Sequence, residues 1–326
     1  MYFHDVILMN RTAALKKEVV FTNEDDGTFF MAFKDVVKHF VGISVCLSRH
    51  KKEPWIESRH PVTLRFNESK LVLEKCEVFK LTVKEPNSEL FVSVHQQDHR
   101  CIDTLPYVEI GISILKVASN QYGYVSVASS GASAERQNQL DVKNLDVGEY
   151  IIVPISCGAK LRKYKADAAL TTKPFTKADY SRPINLVVHS THKYVIEPHQ
   201  CSADLLDDAL TLPVVQDPKR KTQDLYGDGS LLLHSLRSGY CGISYALENT
   251  TEKEGIRVQI DFSGSTNVIC DNPNLNVSVF VRPKYAEVAQ HLFADDTFAD
   301  WTSSWTVDAN WLTAEQLAQE MAKVEL

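Results

Sequence analysis

The feature that most constrains the fold of this chain is a series of short apolar segments in which large side chains recur at every second position. The clearest are residues 78–83, 90–94, 242–249, 256–262 and 276–281. Such alternation is typical of β-strands that bury one face. Turn-forming residues separate the segments, as in Glu85-Pro86-Asn87-Ser88. Short strands at this spacing predict a mainly β fold made of tandem antiparallel β-sandwich modules. The predicted core residues of the first sandwich are Leu81, Val83, Val92, Val94, Ile110, Ile112 and Ile152.

Length and charge narrow the class of protein. The chain has 326 residues, enough for two or three domains, and 44% of them are hydrophobic, as in ordinary globular proteins. The formal net charge is −7. We therefore expect no nucleic-acid partner, because phosphate binding needs a basic face. The basic runs at 160–163 and 219–221 are short, and we interpret them as solvated surface charge.

The cysteines and apolar runs indicate a compartment. The chain has seven cysteines, an odd number, and no two are spaced as a CxxC pair. This argues against a disulfide framework and against a structural zinc site. No apolar run approaches the ~20 residues of a transmembrane helix. The first residues lack the basic and apolar regions of a secretory leader. We therefore expect a cytoplasmic location and no transmembrane segment.

Residues 25–40 change character twice. The pair Asp26-Gly27 indicates a turn, residues 29–33 indicate a buried strand, and the apolar spacing becomes helical from Lys34. The whole string resembles the closing segment of a calpain-type cysteine protease core. The resemblance implies that residues 1–50 are the C-terminal end of a papain-like α/β core, whose catalytic Cys, His and Asn would lie upstream.

Later segments resemble the third domain of calpains, which is a β-sandwich. They are residues 91–100 (FVSVHQQDHR), Ile110-Gly111, residues 145–154 (LDVGEYIIVP) and residues 183–190 (PINLVVHS). Their order along the chain is also that of the family. The resemblance implies a calpain domain III-like sandwich over residues 55–190.

Residues 191–285 predict a second β-rich module. The string at 248–268 (ENTTEKEGIRVQIDFSGSTNV) resembles a module that follows the third domain in some non-classical calpain-like proteins. A plain second sandwich is the alternative, and both interpretations predict the same fold. We interpret residues 119–144 as a long loop and the acidic stretch 199–230 as an insertion or linker.

Residues 286–326 close the chain as a Trp-rich segment followed by a helix. Thr313 and Gln316 predict a capping box at the start of that helix. The tryptophans Trp301, Trp305 and Trp311 could bind a partner, but packing in a core or a domain interface is the favoured interpretation.

The chemistry of a calpain-type protease is not evident in this sequence. Such an enzyme needs a thiolate, an activating His and an orienting Asn. No cysteine stands in a Gly-rich, Trp-flanked context, and no NPWG string is present. We therefore assign no catalytic residues and expect no peptidase activity from this chain alone. His95 and Asp98 are three apart on a predicted strand and would point to opposite faces, so we do not expect a metal site there. Asp98 and Arg100 would share a face as a charge pair.

Calcium is the one cofactor that the resemblance brings into question. No EF-hand loop is present. The weak candidates for calcium ligands are Asp204, Asp207, Asp208 and Asp228, whose alternative interpretation is a solvated acidic loop. We predict weak or absent calcium binding, and no other cofactor.

The resemblance implies a non-catalytic regulatory or interaction region of a calpain-like, calcium-dependent type of cysteine endopeptidase, or of a pseudo-protease, acting in limited intracellular proteolysis. The implied partners are a protease core in cis, other proteins or a phospholipid surface. The alternative is a stand-alone β-sandwich scaffold that binds proteins or membrane surfaces.

Overall fold

The structure is a computed structural model that describes residues 33–40, 55–97, 106–168, 175–238, 242–272, 274–295 and 300–324. The chain divides into two compact units, Met1–Glu53 and Pro54–Leu326. The division lies close to the boundary predicted after residue 50. No helix among the described residues combines the length and apolarity that a membrane crossing requires.

The described part of the first unit is helix α1 (Phe33–His39), which has Asp35 in its first turn and Lys38 and His39 in its last. These charges suit the helix dipole. The change to a helical period near Lys34 is thus confirmed. The predicted strand at 29–33 and the turn before it lie outside the described residues.

The second unit is mainly β. Its strands are β1 (Ile56–Phe66), β2 (Leu73–Lys75), β3 (Val78–Val83), β4 (Ser88–Gln96), β5 (Ile110–Val117), β6 (Tyr124–Ser133), β7 (Gln137–Leu145), β8 (Gly148–Ile155), β9 (Ser181–Ser190), β10 (Tyr194–His199), β11 (Lys221–Asp224), β12 (Leu231–Ser238), β13 (Gly242–Asn249), β14 (Ile256–Asp261), β15 (Val268–Cys270), β16 (Asn276–Val281), β17 (Ala286–Ala294) and β18 (Thr306–Trp311). Its helices are α2 (Ala159–Ala168), a 3-10 helix (Lys177–Tyr180), α3 (Ala203–Gln216) and α4 (Ala314–Val324).

The first module is a pair of antiparallel sheets with one core between them. The sheets have the strand orders β2-β1-β9-β4-β7 and β10-β3-β8-β5-β6. Inward side chains from both sheets join a single apolar cluster. The residues predicted to form this core are all buried to within 3% exposure, namely Leu81, Val83, Val92, Val94, Ile110, Ile112 and Ile152.

The second module repeats this plan at smaller scale. Its sheets have the orders β11-β12-β13-β17-β15 and β16-β14-β18. Ile256, Val258 and Ile260 of β14 point into a second core with Leu247 and Phe262. The predicted segments at 242–249, 256–262 and 276–281 correspond to β13, β14 and β16. The mainly β, antiparallel character of the fold is therefore confirmed.

The interpretation of residues 119–144 as a loop was wrong. This stretch contains β6 and β7, which pair with β5 and β4. Ser, Ala and Gly have low strand propensity, so their local preference hides a strand that is held by its neighbours. The close approach of β5 to β6 also explains one glycine. A Cβ on Gly111 would lie 2.1 Å from the Gly131 carbonyl oxygen.

The interpretation of residues 199–230 as an insertion or linker was also wrong. Helix α3 (Ala203–Gln216) lies within this stretch, and its N-cap Ser202 accepts a hydrogen bond from the Leu205 N–H at 3.1 Å. Leu205, Ala209 and Leu212 form a buried helical stripe. Acidic residues and two prolines obscured this period. Pro213 is accommodated in the last turn, where its carbonyl accepts the Asp217 N–H.

Strand pairing moves two module boundaries. Although the first sandwich was predicted to end at 190, β10 pairs with β3 in that sandwich. Although residues 286–326 were assigned to a separate segment, β17 and β18 pair with β13 and β14 of the second module. The boundaries shift because sheet partners are distant in sequence. The capping box of α4 is confirmed by reciprocal bonds of 3.0 and 3.3 Å between Thr313 and Gln316. Trp305 and Trp311 pack against the second core.

Helix α3 joins the two modules. It contacts β2, β5, β6 and β8 of the first module and β12, β13 and β17 of the second. Its buried side chains belong to the first core, which also takes in Ala246 and Ala286 of the second module. The first core therefore extends through this helix onto β13 and β17 of the second module, while the second core is a separate cluster.

Candidate functional site

A cleft with acidic walls lies where α3 meets the second module. We call it the acidic cleft, and its charged lining comprises Asp204, Asp207, Asp208, Arg282, Glu287, Glu320 and Lys323. It encloses about 420 Å³. Asp204 lies in the first turn of α3, where the positive end of the helix dipole favours a carboxylate, and Asp207 and Asp208 lie in the next turn. Three of the four residues proposed as calcium ligands thus lie in one place.

The cleft raises the proton affinity of its carboxyl groups. The pKa of Asp208 is raised to about 7, first by burial and then by the neighbouring Asp204 and Asp207. The pKa of Glu287 is likewise raised to about 7 by burial, with further contributions from Asp207 and Asp208. Asp207 stands at the rim, yet the protein around its carboxyl and the nearby Asp204 raise its pKa as well. Both effects disfavour the charged form of an acid. The cleft is therefore built to hold protons near neutral pH.

Arg282 is the main cation opposing these groups. Its Nη2 lies 3.7 Å from Glu287 Oε1, and its guanidinium carbon lies 4.0 Å from the centroid of the Tyr285 ring. It lowers the pKa of both Asp208 and Glu287, but less than burial raises them. Its buried Nε has no hydrogen-bond partner among the described residues. One partly satisfied guanidinium therefore offsets several carboxyl groups only in part.

An aromatic clasp closes the side of the cleft nearest the first module. Tyr122 and Tyr285 meet edge to face with ring centroids 5.2 Å apart. Tyr285 Oη donates to the Gln121 carbonyl at 3.0 Å, and Gln121 Nε2 donates to the Lys284 carbonyl at 2.8 Å. These contacts join the β5–β6 turn to the β16–β17 turn. They fix the relative position of the two walls of the cleft at the interface between the modules.

Asp228, the fourth proposed calcium ligand, does not join the cleft. It lies in the turn between β11 and β12, where its carboxylate accepts the Ser230 N–H at 2.9 Å. In the same turn Asp224 accepts the N–H groups of Tyr226, Gly227 and Gly229. These carboxylates shape their own turn, which fits the alternative interpretation of an acidic loop.

A second group of buried polar side chains lies deeper in the interface between the two modules. His291 Nδ1 is 2.7 Å from Ser244 Oγ, and the His291 N–H donates to Asp271 Oδ1 at 2.9 Å. Burial lowers the pKa of His291, so its imidazole is neutral. Its Nε2 has no hydrogen-bond partner among the described residues. His291 and Cys157 both line a cavity of about 300 Å³ between α3, β6 and the second module.

The described cysteine thiols have partners other than histidine. Cys76 Sγ lies 3.6 Å from the Pro154 carbonyl, and Cys270 Sγ donates to the Asn272 carbonyl. Cys157 Sγ donates to Glu109 Oε1 at 3.4 Å, and burial beside that carboxyl raises the pKa of the thiol. Cys157 and His291 line the same cavity between the modules. The raised pKa keeps the Cys157 thiol protonated, so it does not serve as a nucleophile.

Other predicted residues are only partly placed. His95 ends a buried strand and bonds to Ser93 Oγ at 2.9 Å, and burial lowers its pKa. Asp98, His99 and Arg100 lie outside the described residues, so the pair expected between Asp98 and Arg100 stays a prediction. Within the described ranges, no group of three or more His, Cys, Asp or Glu residues is arranged to hold a metal ion.

Sequence reasoning missed Glu287 and Arg282. Arg282 lies three residues before the predicted module boundary at 285, and Glu287 lies two residues beyond it. The available signal was Glu287 itself, because it interrupts the apolar pattern of residues 286–294 (AEVAQHLFA). A carboxylate in a largely buried strand needs a partner or a raised pKa.

No protein-family model and no curated protein matches this chain.

Proposed function

We propose that this chain is the non-catalytic interaction and regulatory region of a calpain-like cysteine endopeptidase or pseudo-protease. In this role the two modules act as one rigid support that orients a protease core in cis or binds another protein. The resemblance of residues 25–40, 91–100 and 145–154 to calpain segments motivates the family. The observation that carries the role is the packing of α3 against strands of both modules, with the first core extending to Ala246 and Ala286.

A support of this kind must transmit position without bending at its own joint. Two modules connected by a bare linker move independently. Here α3 buries Leu205, Leu206 and Leu212 between them, and the Tyr122–Tyr285 clasp adds a second contact. Relative motion would expose this apolar surface to water, which is unfavourable. This supports a rigid unit rather than two tethered binding domains.

The location is proposed to be cytoplasmic, and limited proteolysis is proposed as the process served. Calcium would then act on the protease core or elsewhere rather than through the acidic cleft. The cleft contains a guanidinium and carboxyl groups that hold protons near neutral pH. Both properties oppose a divalent cation, which needs several converging deprotonated oxygens.

The decisive experiment measures the endogenous polypeptide. It is isolated with an antibody raised against residues 54–326, and its intact mass and N-terminus are determined by mass spectrometry. We expect a polypeptide larger than the 36.7 kDa of this chain, with a papain-like core before residue 1. Labelling by a thiol-directed epoxide probe would identify an active protease, and the lack of labelling a pseudo-protease. A polypeptide of 36.7 kDa that starts at Met1 would overturn the proposal in favour of a stand-alone scaffold.

A peptidase assay complements this measurement. The purified chain is incubated with casein and with a fluorogenic peptide, with and without calcium. We expect both substrates to stay intact. Cleavage that disappears when a single cysteine is replaced by Ala would contradict a non-catalytic role.

A further inference from the structure

Two cysteines of the first module face each other beyond the end of a strand pair. The β3–β10 ladder is antiparallel, and its last pair joins Val78 to His199. Continuing that register by two residues on each strand places Cys76 opposite Cys201. Directly opposed residues of an antiparallel ladder have Cα atoms about 4.5–5.5 Å apart. A disulfide needs a Cα separation of about 4.4–6.8 Å, so the backbone geometry suits a cross-strand bond.

The two thiols border the same apolar core but differ in exposure. Cys201 packs against the core to which Cys76 belongs, and both are free thiols. Cys76 is 3% exposed and belongs to the first core, whereas Cys201 is only half-buried and reaches solvent. Cys201 also immediately precedes Ser202, the N-cap of α3. An oxidant from solvent would therefore meet Cys201 first.

Electrostatics assign different protonation states to the pair. Hydrogen bonding from Cys76 lowers the pKa of Cys201 to about 6, and Lys75 contributes in the same direction. The same contact and burial raise the pKa of Cys76 well above its usual range. These shifts favour the thiolate at Cys201 and the thiol at Cys76. The thiolate is the form that reacts with peroxides and disulfides.

We propose that Cys201 and Cys76 form a peroxide-reactive modification site, in which Cys201 is the attacking and Cys76 the resolving residue. The Cys201 thiolate attacks one oxygen of hydrogen peroxide, the O–O bond breaks, and the departing hydroxide takes up a proton to become water. Cys201 is then a sulfenic acid. The Cys76 sulfur attacks the Cys201 sulfur, the S–O bond breaks, and the hydroxide leaves with the Cys76 proton as a second water. The two thiols lose two electrons, and the peroxide gains them.

The first step prepares the second. The Cys201 thiolate is itself a cause of the raised pKa of Cys76. Conversion of that thiolate to a neutral sulfenic acid removes the negative charge. Cys76 then loses its proton more readily, which favours attack on the adjacent sulfur.

The disulfide would act on the helix that joins the modules. Cys201 precedes α3 by two residues, and Cys76 precedes β3 by two residues. A bond between them would fasten the start of α3 to the first sandwich. Because α3 carries Asp204, Asp207 and Asp208 into the acidic cleft, oxidation would restrain one wall of that cleft. This consequence depends on the fold and not on the calpain resemblance.

The test uses the full chain with all seven cysteines. The reduced protein is treated with an equimolar amount of hydrogen peroxide at neutral pH, blocked with N-ethylmaleimide and mapped by peptide mass spectrometry. We expect a peptide pair joined through Cys76 and Cys201 and lighter by two hydrogen atoms. Without oxidant, alkylation of Cys201 should be at least about tenfold faster than that of Cys270, a half-buried cysteine whose pKa is raised to about 11.

Variants separate the two roles. In Cys76→Ser the oxidation should stop at a sulfenic acid on Cys201, which dimedone traps. In Cys201→Ser, Cys76 should stay reduced at the same peroxide concentration. Cys270→Ser is the matched control and should leave the linked peptide unchanged. The wild-type map needs no variant to fold, so the proposal fails if Cys76 and Cys201 are not linked there, or if Cys201 reacts no faster than Cys270.

Discussion

Arg282 Nη2 lies 3.7 Å from Glu287 Oε1 in the wall of the acidic cleft. The other cation of the lining, Lys323, is bonded to Glu320 at 2.7 Å. Arg282 is therefore the main cation that offsets the negative charge of Glu287 and of the aspartates of α3. The burial of these acids outweighs its attraction, so the folded protein holds protons that the unfolded chain would release.

The first prediction is that the contribution of Asp208 and Glu287 to stability falls as pH rises from about 4 to about 7. Asp208 and Glu287 have folded pKa values of about 7, against 3.8 and 4.5 as their ordinary values. An acid whose pKa is raised by folding binds its proton more tightly in the folded state, so folding is favoured below the ordinary pKa and this contribution is lost as pH rises through the folded value. The melting temperature measured between pH 4 and pH 8 should contain a component that declines across this window and that a variant of Asp208 isolates.

Asp208→Asn should remove part of that decline. After allowance for partial exposure of the carboxyl, we expect a gain of about 1 kcal/mol at pH 8, or about 2–4 °C in melting temperature, and little change at pH 4. Asp228→Asn is the matched control, because Asp228 lies outside the cleft and its pKa is lowered rather than raised. An equal gain in both variants would mean that the cleft does not store the protons.

The second prediction concerns the core of the first sandwich. Val92 is fully buried in β4, and Val92→Asp places an unpaired carboxylate in an apolar interior. That cost exceeds what a domain stable by about 5–15 kcal/mol tolerates. We expect loss of the folded protein by circular dichroism. Val147→Asp is the control, since Val147 is 55% exposed. A Val92→Asp protein that melts like the parent would contradict the strand register.

The third prediction tests the coupling of the modules through α3. Leu212 is fully buried in the first core, so Leu212→Ala should cost about 2–5 kcal/mol. The measurement is made in a Trp55→Phe background, because Trp55 directly precedes β1 of the first sandwich, whereas Trp305 and Trp311 pack against the second core. If α3 couples the modules, denaturant unfolding followed by tryptophan fluorescence should move to lower denaturant together with far-UV circular dichroism.

A conservative change at the same site provides the comparison. Leu212→Met keeps volume and apolarity and should cost less than about 1.5 kcal/mol. Separate transitions in the Leu212→Ala protein, with the fluorescence transition unmoved, would show that the second module folds independently of α3.

The fourth prediction is that calcium binds weakly or not at all. The cleft carboxyls must lose protons before they can coordinate a cation, and Arg282 opposes its charge. Titration calorimetry at neutral pH should give little heat. Any heat at the cleft should vanish in Asp207→Asn/Asp208→Asn and survive in Asp228→Asn. A tight isotherm that persists in the double variant would place the ligands elsewhere.

The sequence by itself determined the strands whose apolar side chains alternate. β13 and β16 begin and end at the predicted residues, and every predicted core residue of the first sandwich is buried. In these segments the local strand propensity and the alternation of buried residues both favour a strand. The sequence therefore predicts the strand without knowledge of the strands that pair with it. The capping box of α4 is legible for the same reason, because both of its bonds join residues three apart.

Only the tertiary structure determined which residues meet at the interface between the modules. Strands β6 and β7 form from residues with weak strand propensity because β5 and β4 pair with them. The acidic cleft brings together Asp208 and Glu287, which are 79 positions apart in the sequence. The register of β3 and β10 brings together Cys76 and Cys201, which are 125 positions apart. Proximity of this kind depends on strand order and on the docking of α3. Those are set by burial summed over the whole interior, which no local pattern of residues encodes.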